Sequence, residues 1–301
     1  MTEQTINWQA WGLAIRPRTL PAAAAGVVMG SALAWRDGYF RIDATLVCLL
    51  SALLLQIGSN LANDVFDFER GTDTHERLGP TRVTQAGLLS PSQVKFGMGI
   101  VFGTAALLGL YLIWMGGWII AAIGLSAIVA AIAYTGGPFP LGYHGLGDLF
   151  VFIFFGLASV AGTYYVQAGF VSTAAWWMTI PPGLIITAII VVNNLRDIDN
   201  DRKGKKNTLA VILGERATKI EYLLCMAVAY LVLPLAAWLG IVSWLSLLAW
   251  LSLPIAIRAA RLVLTEKGRP LNAALAGTGQ TALAFSLLFW VGMIFSKYLV
   301  G

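Results

Sequence analysis

Apolar and polar positions along this chain are arranged in long blocks, with polar residues collected between the apolar ones. A block of about 20 mainly apolar residues is long enough to cross a bilayer as a helix. The pattern therefore predicts an all-α polytopic membrane protein with about nine transmembrane helices. The predicted spans are residues 18–35, 43–63, 95–115, 118–135, 148–168, 174–194, 219–239, 242–260 and 273–296.

The gaps between the predicted spans alternate strictly between short and long. The short gaps are 36–42, 116–117, 169–173 and 240–241, and the long gaps are 64–94, 136–147, 195–218 and 261–272. This alternation places all long gaps on one side of the membrane. Seventeen of the 20 Lys and Arg residues fall on that side and three on the other. The positive-inside rule then predicts cytoplasmic long gaps, a cytoplasmic N-terminus and an outer C-terminus.

Composition agrees with a membrane protein and narrows the choice of partners. The chain is 58% hydrophobic and only 12% charged, with a mean hydropathy of +0.75. Its formal net charge of +5 is collected on the cytoplasmic rim, which favours anionic headgroups or an anionic substrate and not nucleic acid. No protein partner is indicated. Of the fifteen acidic residues, only Asp37 and Asp43 fall on the outer side, so the same rim is also rich in carboxylates.

Two acidic clusters directly follow predicted spans two and six. They read "NLANDVFDFERGTD" at 60–73 and "NNLRDIDNDRKGKKN" at 193–207. Residues three and four apart share a helix face, so each cluster forms a stripe if its helix continues past the membrane. The stripes are Asn60, Asn63, Asp64 and Asp67, and Asn193 or Asn194 with Asp197 and Asp201. Both spans run inward, so both stripes end at one level. Their similarity indicates an internal duplication within a single domain, 1–301.

Carboxylate and amide oxygens are hard ligands of the kind that Mg²⁺ prefers, together with phosphate oxygens. Two facing carboxylate stripes repel each other unless divalent cations and an anion lie between them, and a diphosphate fits that position. Basic residues near both clusters are candidates for binding it. These candidates are Arg16, Arg77, Arg82, Lys203 and Lys206.

Three alternatives account for acids in a membrane protein. A calcium loop starting at Asp197 requires glycine and an acid where Arg202 and Thr208 stand, so it is excluded. Asp199 lies on the helix face opposite Asp197 and Asp201, so it is interpreted as a solvated residue and not as a ligand. A cation-coupled transporter remains the main non-enzyme alternative, although transporter sites lie near the bilayer midplane and these acids lie at span ends. A phosphatidyltransferase needs Asp-Gly and Ala-Arg after the first acids, which "DFERGTD" lacks.

The two clusters resemble the aspartate-rich motifs of the UbiA-type intramembrane prenyltransferases. The segments "GPTRVTQAGLLSPSQV" (79–94), "YTGGPFPLGYHGLGD" (134–148) and "FFGLASVAGTYYVQAG" (154–169) extend the resemblance over nearly the whole chain. It implies a helical bundle around a central cavity open to the cytoplasmic side of a bacterial inner membrane. It also implies Mg²⁺-dependent transfer of a polyprenyl group from its diphosphate to an aromatic ring. By position, the metal ligands would be Asn60, Asn63, Asp64, Asp67, Asn193, Asp197 and Asp201.

The chain departs from the family pattern at one position. The further acid of the first motif is replaced by Gly71, and the nearest acid is Asp73. Within the family, the loops resemble the branch that prenylates 1,4-dihydroxy-2-naphthoate in menaquinone biosynthesis. A different aromatic acceptor such as 4-hydroxybenzoate is the alternative. Asp64, Asp67, Asp197, Asp201, Asp148 and Tyr134 are the expected catalytic residues, and Tyr134, Tyr143, Asp148 and Tyr164 the expected acceptor and prenyl pocket.

Overall fold

The computed structural model describes residues 7–72 and 78–299, and within these ranges the chain is helical with connecting turns and loops. A short helix, α1 (Trp8–Ile15), precedes the bundle. The longer helices are α2 (Leu20–Arg36), α3 (Ile42–Glu69), α4 (Pro91–Ala133), α5 (Gly147–Ala168), α6 (Thr173–Lys203), α7 (Glu215–Trp238), α8 (Trp244–Thr265) and α9 (Leu271–Leu299). A short helix, Leu209–Leu213, lies between α6 and α7.

Seven of the described helices, α3 to α9, are long and apolar enough to cross a membrane. Helix α4 accounts for two crossings, because its 43 residues are interrupted at Gly117 (φ 67°, ψ −158°). This left-handed backbone is readily adopted by glycine. Helix α2 has 17 residues, about 25 Å of helix, and 11 of them are buried. The prediction of an all-helical bundle with nine crossings is confirmed for the described residues.

The connections alternate between two ends of the bundle, as predicted. Segments 70–72, 78–90, 134–146, 204–214 and 266–270 lie at the long-loop end, and segments 37–41, 169–172 and 239–243 lie at the short-loop end together with Gly117. Polar contacts hold each end together. At the short-loop end, Arg36 Nη1 donates to the carbonyl of Ile241 at 3.0 Å. At the long-loop end, Lys267 Nζ lies 2.6 Å from Glu215 Oε2.

Close helix packing positions the elements that carry the acidic residues. A Cβ atom added to Gly156 of α5 would lie 2.9 Å from the Cα of Gly183 in α6, so the two backbones cross nearly in contact. Small residues allow such crossings between membrane helices. The middle of α5, the ten residues Phe152–Ala161, has the wider π-helical hydrogen-bonding pattern. At the long-loop end of α3, a cluster of apolar side chains packs α1 and the segment 78–90 against this helix.

Candidate active site

Both predicted stripes lie on helix, because α3 and α6 continue beyond the predicted spans. Helix α3 ends at Glu69 instead of residue 63, and α6 ends at Lys203 instead of residue 194. Both extensions lie at the long-loop end. The sequence left open whether Asn193 or Asn194 belongs to the second stripe. In the structure, Asn193 and Asp197 both bind the guanidinium of Arg196, whereas Asn194 is buried.

Tyr143, in the loop between α4 and α5, connects the two acidic clusters. Its hydroxyl donates to Asp67 Oδ1 at 2.8 Å. On the other side, the backbone N–H of Asn207 donates to the Tyr143 carbonyl at 3.1 Å. Lys206 Nζ lies 5.1 Å from the centroid of the Tyr143 ring and 4.0 Å from Asp201 Oδ1. The fold therefore brings Asp67 of the first cluster and, through Lys206, Asp201 of the second cluster to the surroundings of one tyrosine.

Asp67 forms a buried ion pair with Arg82. Arg82 Nη2 lies 2.8 Å from Asp67 Oδ2, and the two side chains are only 6% and 4% exposed. Burial raises the pKa of the Tyr143 hydroxyl well above its usual range, and the charge of Asp67 raises it further. The tyrosine therefore stays protonated at neutral pH and continues to donate to Asp67.

Asp64 anchors the segment 78–90 to α3. Its carboxylate is fully buried and accepts the backbone N–H of Val83 at 3.0 Å and that of Thr84 at 2.9 Å. A carboxylate has about four lone-pair positions, so these two bonds leave acceptor capacity for a cation. Asp64 thus positions the loop that contains Arg82 and remains able to act as a ligand.

The two asparagines of the first stripe bind neighbouring segments. Asn60 Nδ2 donates to the carbonyl of Ile15 at 2.9 Å and to Thr19 Oγ1 at 3.0 Å. Asn63 Oδ1 accepts a hydrogen bond from Thr135 Oγ1 at 3.0 Å. Both amides therefore fix the long-loop end of α3 relative to the chain before α2 and the loop after α4.

Arg196 organises the second cluster, and the sequence interpretation missed its role. The guanidinium is 1% exposed and binds both carboxylate oxygens of Asp197, with 2.9 Å from Nε to Oδ1. It also donates to Asn193 Oδ1 at 2.9 Å and, across the bundle, to Asn272 Oδ1 at 2.7 Å. Asn272 Nδ2 in turn donates to the carbonyl of Leu78 at 2.9 Å. The position of Arg196 beside Asp197 in "RDIDND" was the available signal, but it was counted only as a topology charge.

Tyr134 and Asp148 lie together next to the two clusters. An added Cβ on Gly147 would lie 2.7 Å from the Tyr134 oxygen, which places this tyrosine against the start of α5. Burial raises the pKa of the Tyr134 hydroxyl above its usual range, and three carboxylates raise it further. These carboxylates are Asp148, Asp67 and Asp201. Asp148 is only 8% exposed, and neither of its carboxyl oxygens has a hydrogen-bond partner in the described chain.

The basic residues that were predicted to bind diphosphate occupy different positions in the structure. Arg16 joins α1 to the following turn in a left-handed conformation (φ 54°), which is uncommon for a non-glycine residue. Lys203 is the last residue of α6, and Lys206 lies beside Asp201. Arg77, like Asp73, lies outside the described residues.

Tyr164 is not brought into this site. Its hydroxyl donates to Asp37 Oδ2 at 2.7 Å, and Asp37 follows the short-loop end of α2. Tyr164 therefore lies apart from Tyr134, Tyr143 and Asp148, with which it was grouped in the expected acceptor and prenyl pocket. The reason is that α5 carries it about four helical turns beyond Asp148, toward the opposite end of the bundle.

The oxygen donors of the two clusters fit Mg²⁺ by their chemistry. In residues 7–72 and 78–299, no three Asp, Glu, His or Cys side chains are close enough to hold a metal ion on their own. Mg²⁺ commonly uses one or two carboxylates and completes its octahedron with water and phosphate oxygens. Because each cluster supplies two or more carboxylates with spare acceptor capacity, the donor set is compatible with a magnesium diphosphate.

The fold and the site define a multi-pass helical membrane protein with a two-part, carboxylate-rich site at one end. The UbiA prenyltransferase family model matches residues 23–275. The chain is 40% identical to 1,4-dihydroxy-2-naphthoate octaprenyltransferase from Escherichia coli (strain K12), over 99% of both chains. The chain belongs to the UbiA prenyltransferase family, and it is a prenyltransferase of the multi-pass membrane type.

Solved structures show the same fold. The apo structure of a UbiA homolog from Aeropyrum pernix K1 covers 94% of this chain and 97% of its own, with a TM-score of 0.66 and 16% identity. A UbiA homolog from Archaeoglobus fulgidus bound to GPP and Mg²⁺ covers 95% of this chain and 99% of its own, with a TM-score of 0.63 and 12% identity.

Proposed function

We propose that this protein transfers a polyprenyl group from polyprenyl diphosphate to 1,4-dihydroxy-2-naphthoate, releasing diphosphate and CO2 and forming demethylmenaquinol. The observation that supports the reaction class is that Asp67 bonds to Tyr143 while Lys206, 4.0 Å from Asp201, lies over the same ring, so both carboxylate clusters adjoin one tyrosine. The acceptor is proposed from the relative in Escherichia coli, whose name specifies naphthoate and which aligns over 99% of both chains.

Magnesium is the cofactor that this donor set accommodates, and the Archaeoglobus homolog was solved with Mg²⁺ and GPP. When bound, it would supply charge neutralisation for the departing diphosphate. The residues that would hold it are Asn60, Asn63, Asp64, Asp67, Asn193, Asp197 and Asp201. Of these, Asn60 would use its amide oxygen, which also accepts a hydrogen bond from Gln56 Nε2 at 3.2 Å, while its amide nitrogen donates to Ile15 and Thr19.

Basic side chains at the clusters would bind the diphosphate. Arg82 is held against Asp67 within the site, and Lys206 lies beside Asp201. Arg16 follows the end of α1, and Lys203 is the last residue of α6. Arg77, which lies outside the described residues, remains a candidate on the basis of the sequence. Guanidinium groups bind phosphate oxygens through two parallel N–H groups, so we expect Arg82 to contribute most to diphosphate binding.

The aromatic acceptor would bind beside Tyr134 and Asp148. Loss of diphosphate leaves an allylic cation, which the faces of Tyr134 and Tyr143 can stabilise by about 1–2 kcal/mol each in a desolvated site. Attack by the ring carbon that bears the carboxylate forms the new C–C bond and a β-keto acid. This acid loses CO2 readily, so no strong base at carbon is required. Asp148 would orient the naphthol hydroxyl or take its proton.

The orientation of the protein in the membrane is proposed from the distribution of its basic residues. By sequence, seventeen of the 20 basic residues belong to the long loops and the helix ends beside them, so the positive-inside rule supports a cytoplasmic long-loop end, with the N-terminus inside and the C-terminus outside. The polyprenyl diphosphate would then reach the site with its headgroup at the cytoplasmic face of a bacterial inner membrane and its tail in the bilayer.

The function is tested by incubating purified protein in detergent with Mg²⁺, a polyprenyl diphosphate and either 1,4-dihydroxy-2-naphthoate or 4-hydroxybenzoate. We expect a prenylated, decarboxylated product from naphthoate and little product from hydroxybenzoate. Efficient prenylation of hydroxybenzoate alone would replace the acceptor assignment. No product with either acceptor, combined with cation flux in proteoliposomes, would favour the transporter alternative.

Arg82→Lys is expected to weaken diphosphate binding. Lysine keeps a positive charge beside Asp67 but cannot bind a phosphate with two parallel N–H groups. We expect the KM for polyprenyl diphosphate to rise about tenfold, with the KM for naphthoate changed less than twofold. Arg202→Lys is the matched control, because Arg202 is 59% exposed and pairs with Asp199, whose side chain is also exposed. A larger rise in the naphthoate KM would reject the assignment.

Tyr143→Phe is expected to lower turnover about fivefold and the free energy of unfolding by about 1 kcal/mol, because Asp67 loses a hydrogen bond in a buried site. Steady-state kinetics and thermal unfolding in detergent measure the two effects. Tyr298→Phe, which changes an exposed tyrosine near the end of α9, is the control. Wild-type behaviour of Tyr143→Phe in both assays would show that Tyr143 does not couple the clusters.

A further inference from the structure

Asn272, the second residue of α9, bonds to two parts of the chain that are far apart in sequence. Its amide oxygen accepts a hydrogen bond from Arg196 Nη1 at 2.7 Å, and its amide nitrogen donates to the carbonyl of Leu78 at 2.9 Å. A guanidinium only donates and a carbonyl only accepts, so a neutral amide satisfies both partners at once. The sequence interpretation assigned no role to this residue.

On one side, Asn272 contributes to the hydrogen bonding of Arg196. The guanidinium binds both carboxylate oxygens of Asp197 through Nε and Nη2, and its Nη1 is directed to Asn272. Arg196 is 1% exposed, so its donors have little access to water. The position of Asn272 is therefore tied to that of Asp197, one of the carboxylates proposed to hold Mg²⁺.

On the other side, Asn272 holds the start of the segment 78–90. The side chain of Leu78 also packs at the connection between α8 and α9, since a Cβ atom added to Gly268 would lie 3.7 Å from Leu78 Cδ1. The start of this segment is therefore fixed against α9 by a hydrogen bond and against the preceding connection by packing.

The same segment is bound to the first cluster a few residues further on. Asp64 accepts two of its backbone N–H groups, and Arg82 forms an ion pair with Asp67 at 2.8 Å. Arg82 follows Leu78 by four residues, and four extended residues span at most about 14 Å. A displacement of Leu78 is therefore transmitted to Arg82 over a short stretch of chain.

We propose that Asn272 is a positioning residue for diphosphate binding. Its two hydrogen bonds set the position of Arg82 relative to Asp197, so that the cation of the segment 78–90 and the carboxylates of the second cluster act on one diphosphate. This inference rests on the proposed function, because it assigns the support of the same diphosphate site. In this role Asn272 acts through Arg82 and needs no contact with the substrate.

Asn272→Leu removes both hydrogen bonds and keeps a side chain of similar size. We expect the KM for polyprenyl diphosphate to rise about tenfold, the size expected for losing a hydrogen bond to a charged group. The turnover number and the KM for naphthoate should each change less than about threefold, because the lost interaction concerns binding of the diphosphate. An unchanged KM for polyprenyl diphosphate, or a fall in turnover alone, would overturn the proposal.

Thr278→Val is the matched control for a loss of stability. Thr278 lies six residues later on α9, is fully buried, and has its Oγ1 2.9 Å from the hydroxyl of Tyr222. Its replacement also removes a buried hydrogen bond from this helix but leaves the contact with Leu78 in place. We expect the KM for polyprenyl diphosphate to stay within about twofold of wild type. A rise equal to that of Asn272→Leu would attribute the effect to general loosening of α9 and contradict a positioning role.

The double variant Asn272→Leu/Arg82→Gln tests whether Asn272 acts through Arg82. Glutamine removes the cation but keeps a hydrogen-bond donor beside Asp67. In the Arg82→Gln background, Asn272→Leu should raise the KM for polyprenyl diphosphate by less than about twofold further, because two changes to one interaction are not additive. Multiplication of the two single effects would show that the residues act independently and would reject the proposed route.

Titration with Mg²⁺ and inorganic diphosphate separates this inference from the proposed function, because it requires no acceptor and no turnover. We expect about tenfold weaker binding for Asn272→Leu than for wild type. Equal binding by the two proteins would reject the role of Asn272 alone, whereas no binding by wild type would reject the diphosphate site and with it the proposed function. If Asn272→Leu does not fold, Asn272→Ser is titrated instead. The shorter serine side chain cannot reach both partners, so weaker binding is again expected.

Discussion

Asp201→Asn is expected to reduce prenyl transfer by a factor of about one hundred or more. Asp201 is 12% exposed and lies 4.0 Å from Lys206, which in turn lies 5.1 Å from the ring centroid of Tyr143. Replacing its carboxylate by an amide removes a negative charge and half of its oxygen donors while keeping its shape. Loss of one preorganised charged group in an active site commonly has an effect of this size. The measurement is the initial rate of product formation at saturating substrates and varied Mg²⁺.

Asp199→Asn is a closely matched control for this change. It lies two residues earlier on the same helix, but its side chain is 83% exposed and its contact with Arg202 is solvated. We expect its rate to remain within twofold of wild type. Similar losses in both variants would show that activity depends on the total negative charge of this helix end and not on the position of Asp201. A rate for Asp201→Asn within threefold of wild type would remove Asp201 from the site.

Arg196→Met is expected to lower the free energy of unfolding by about 3 kcal/mol. The guanidinium is 1% exposed and links Asp197 and Asn193 on α6 to Asn272 on α9. Methionine retains much of the volume but leaves the Asp197 carboxylate buried without its cation, and breaking a buried ion pair in this way typically costs about 3–5 kcal/mol. Chemical or thermal unfolding in detergent measures the loss.

Magnesium adds a second readout for Arg196→Met. If Asp197 is a metal ligand, Mg²⁺ with inorganic diphosphate should restore part of the lost stability, because a bound cation replaces the missing guanidinium. Arg202→Met, which changes an exposed arginine on the same helix, should alter stability by less than about 0.5 kcal/mol. Equal stability of Arg196→Met and wild type would exclude a structural role for the buried guanidinium.

The spans and the acidic stripes were predictable because they depend on local patterns. Length and hydropathy mark a crossing wherever about 20 apolar residues occur together, and the helical repeat places Asp64 and Asp67 on the same face. Even the break in α4 was visible, since "GG" at 116–117 separates two apolar blocks. The interpretation of Asp199 as a solvated residue is confirmed by its exposure.

The partners of these residues were not predictable, because they come from distant parts of the chain. Asp64 binds backbone N–H groups 19 and 20 residues away, and Tyr143 and Asp67 are 76 residues apart. Arg196 and Asn272 are separated by the same distance in sequence, so nothing local distinguishes this arginine from a topology charge. The separation of Tyr164 from Tyr134, Tyr143 and Asp148 was missed for a related reason: a position within one sequence segment does not specify at which end of the bundle a side chain lies.

The sequence alone determined that this is a membrane protein of nine crossings, with its charged residues collected at one end and two oxygen-rich stripes on α3 and α6. These properties follow from burial in lipid and from the helical repeat, both of which act on neighbouring residues. The tertiary structure decided that Tyr143 joins the stripes and that Arg196 holds Asp197. These relations depend on how helices pack side by side, and the packing is set by shape complementarity over the whole bundle.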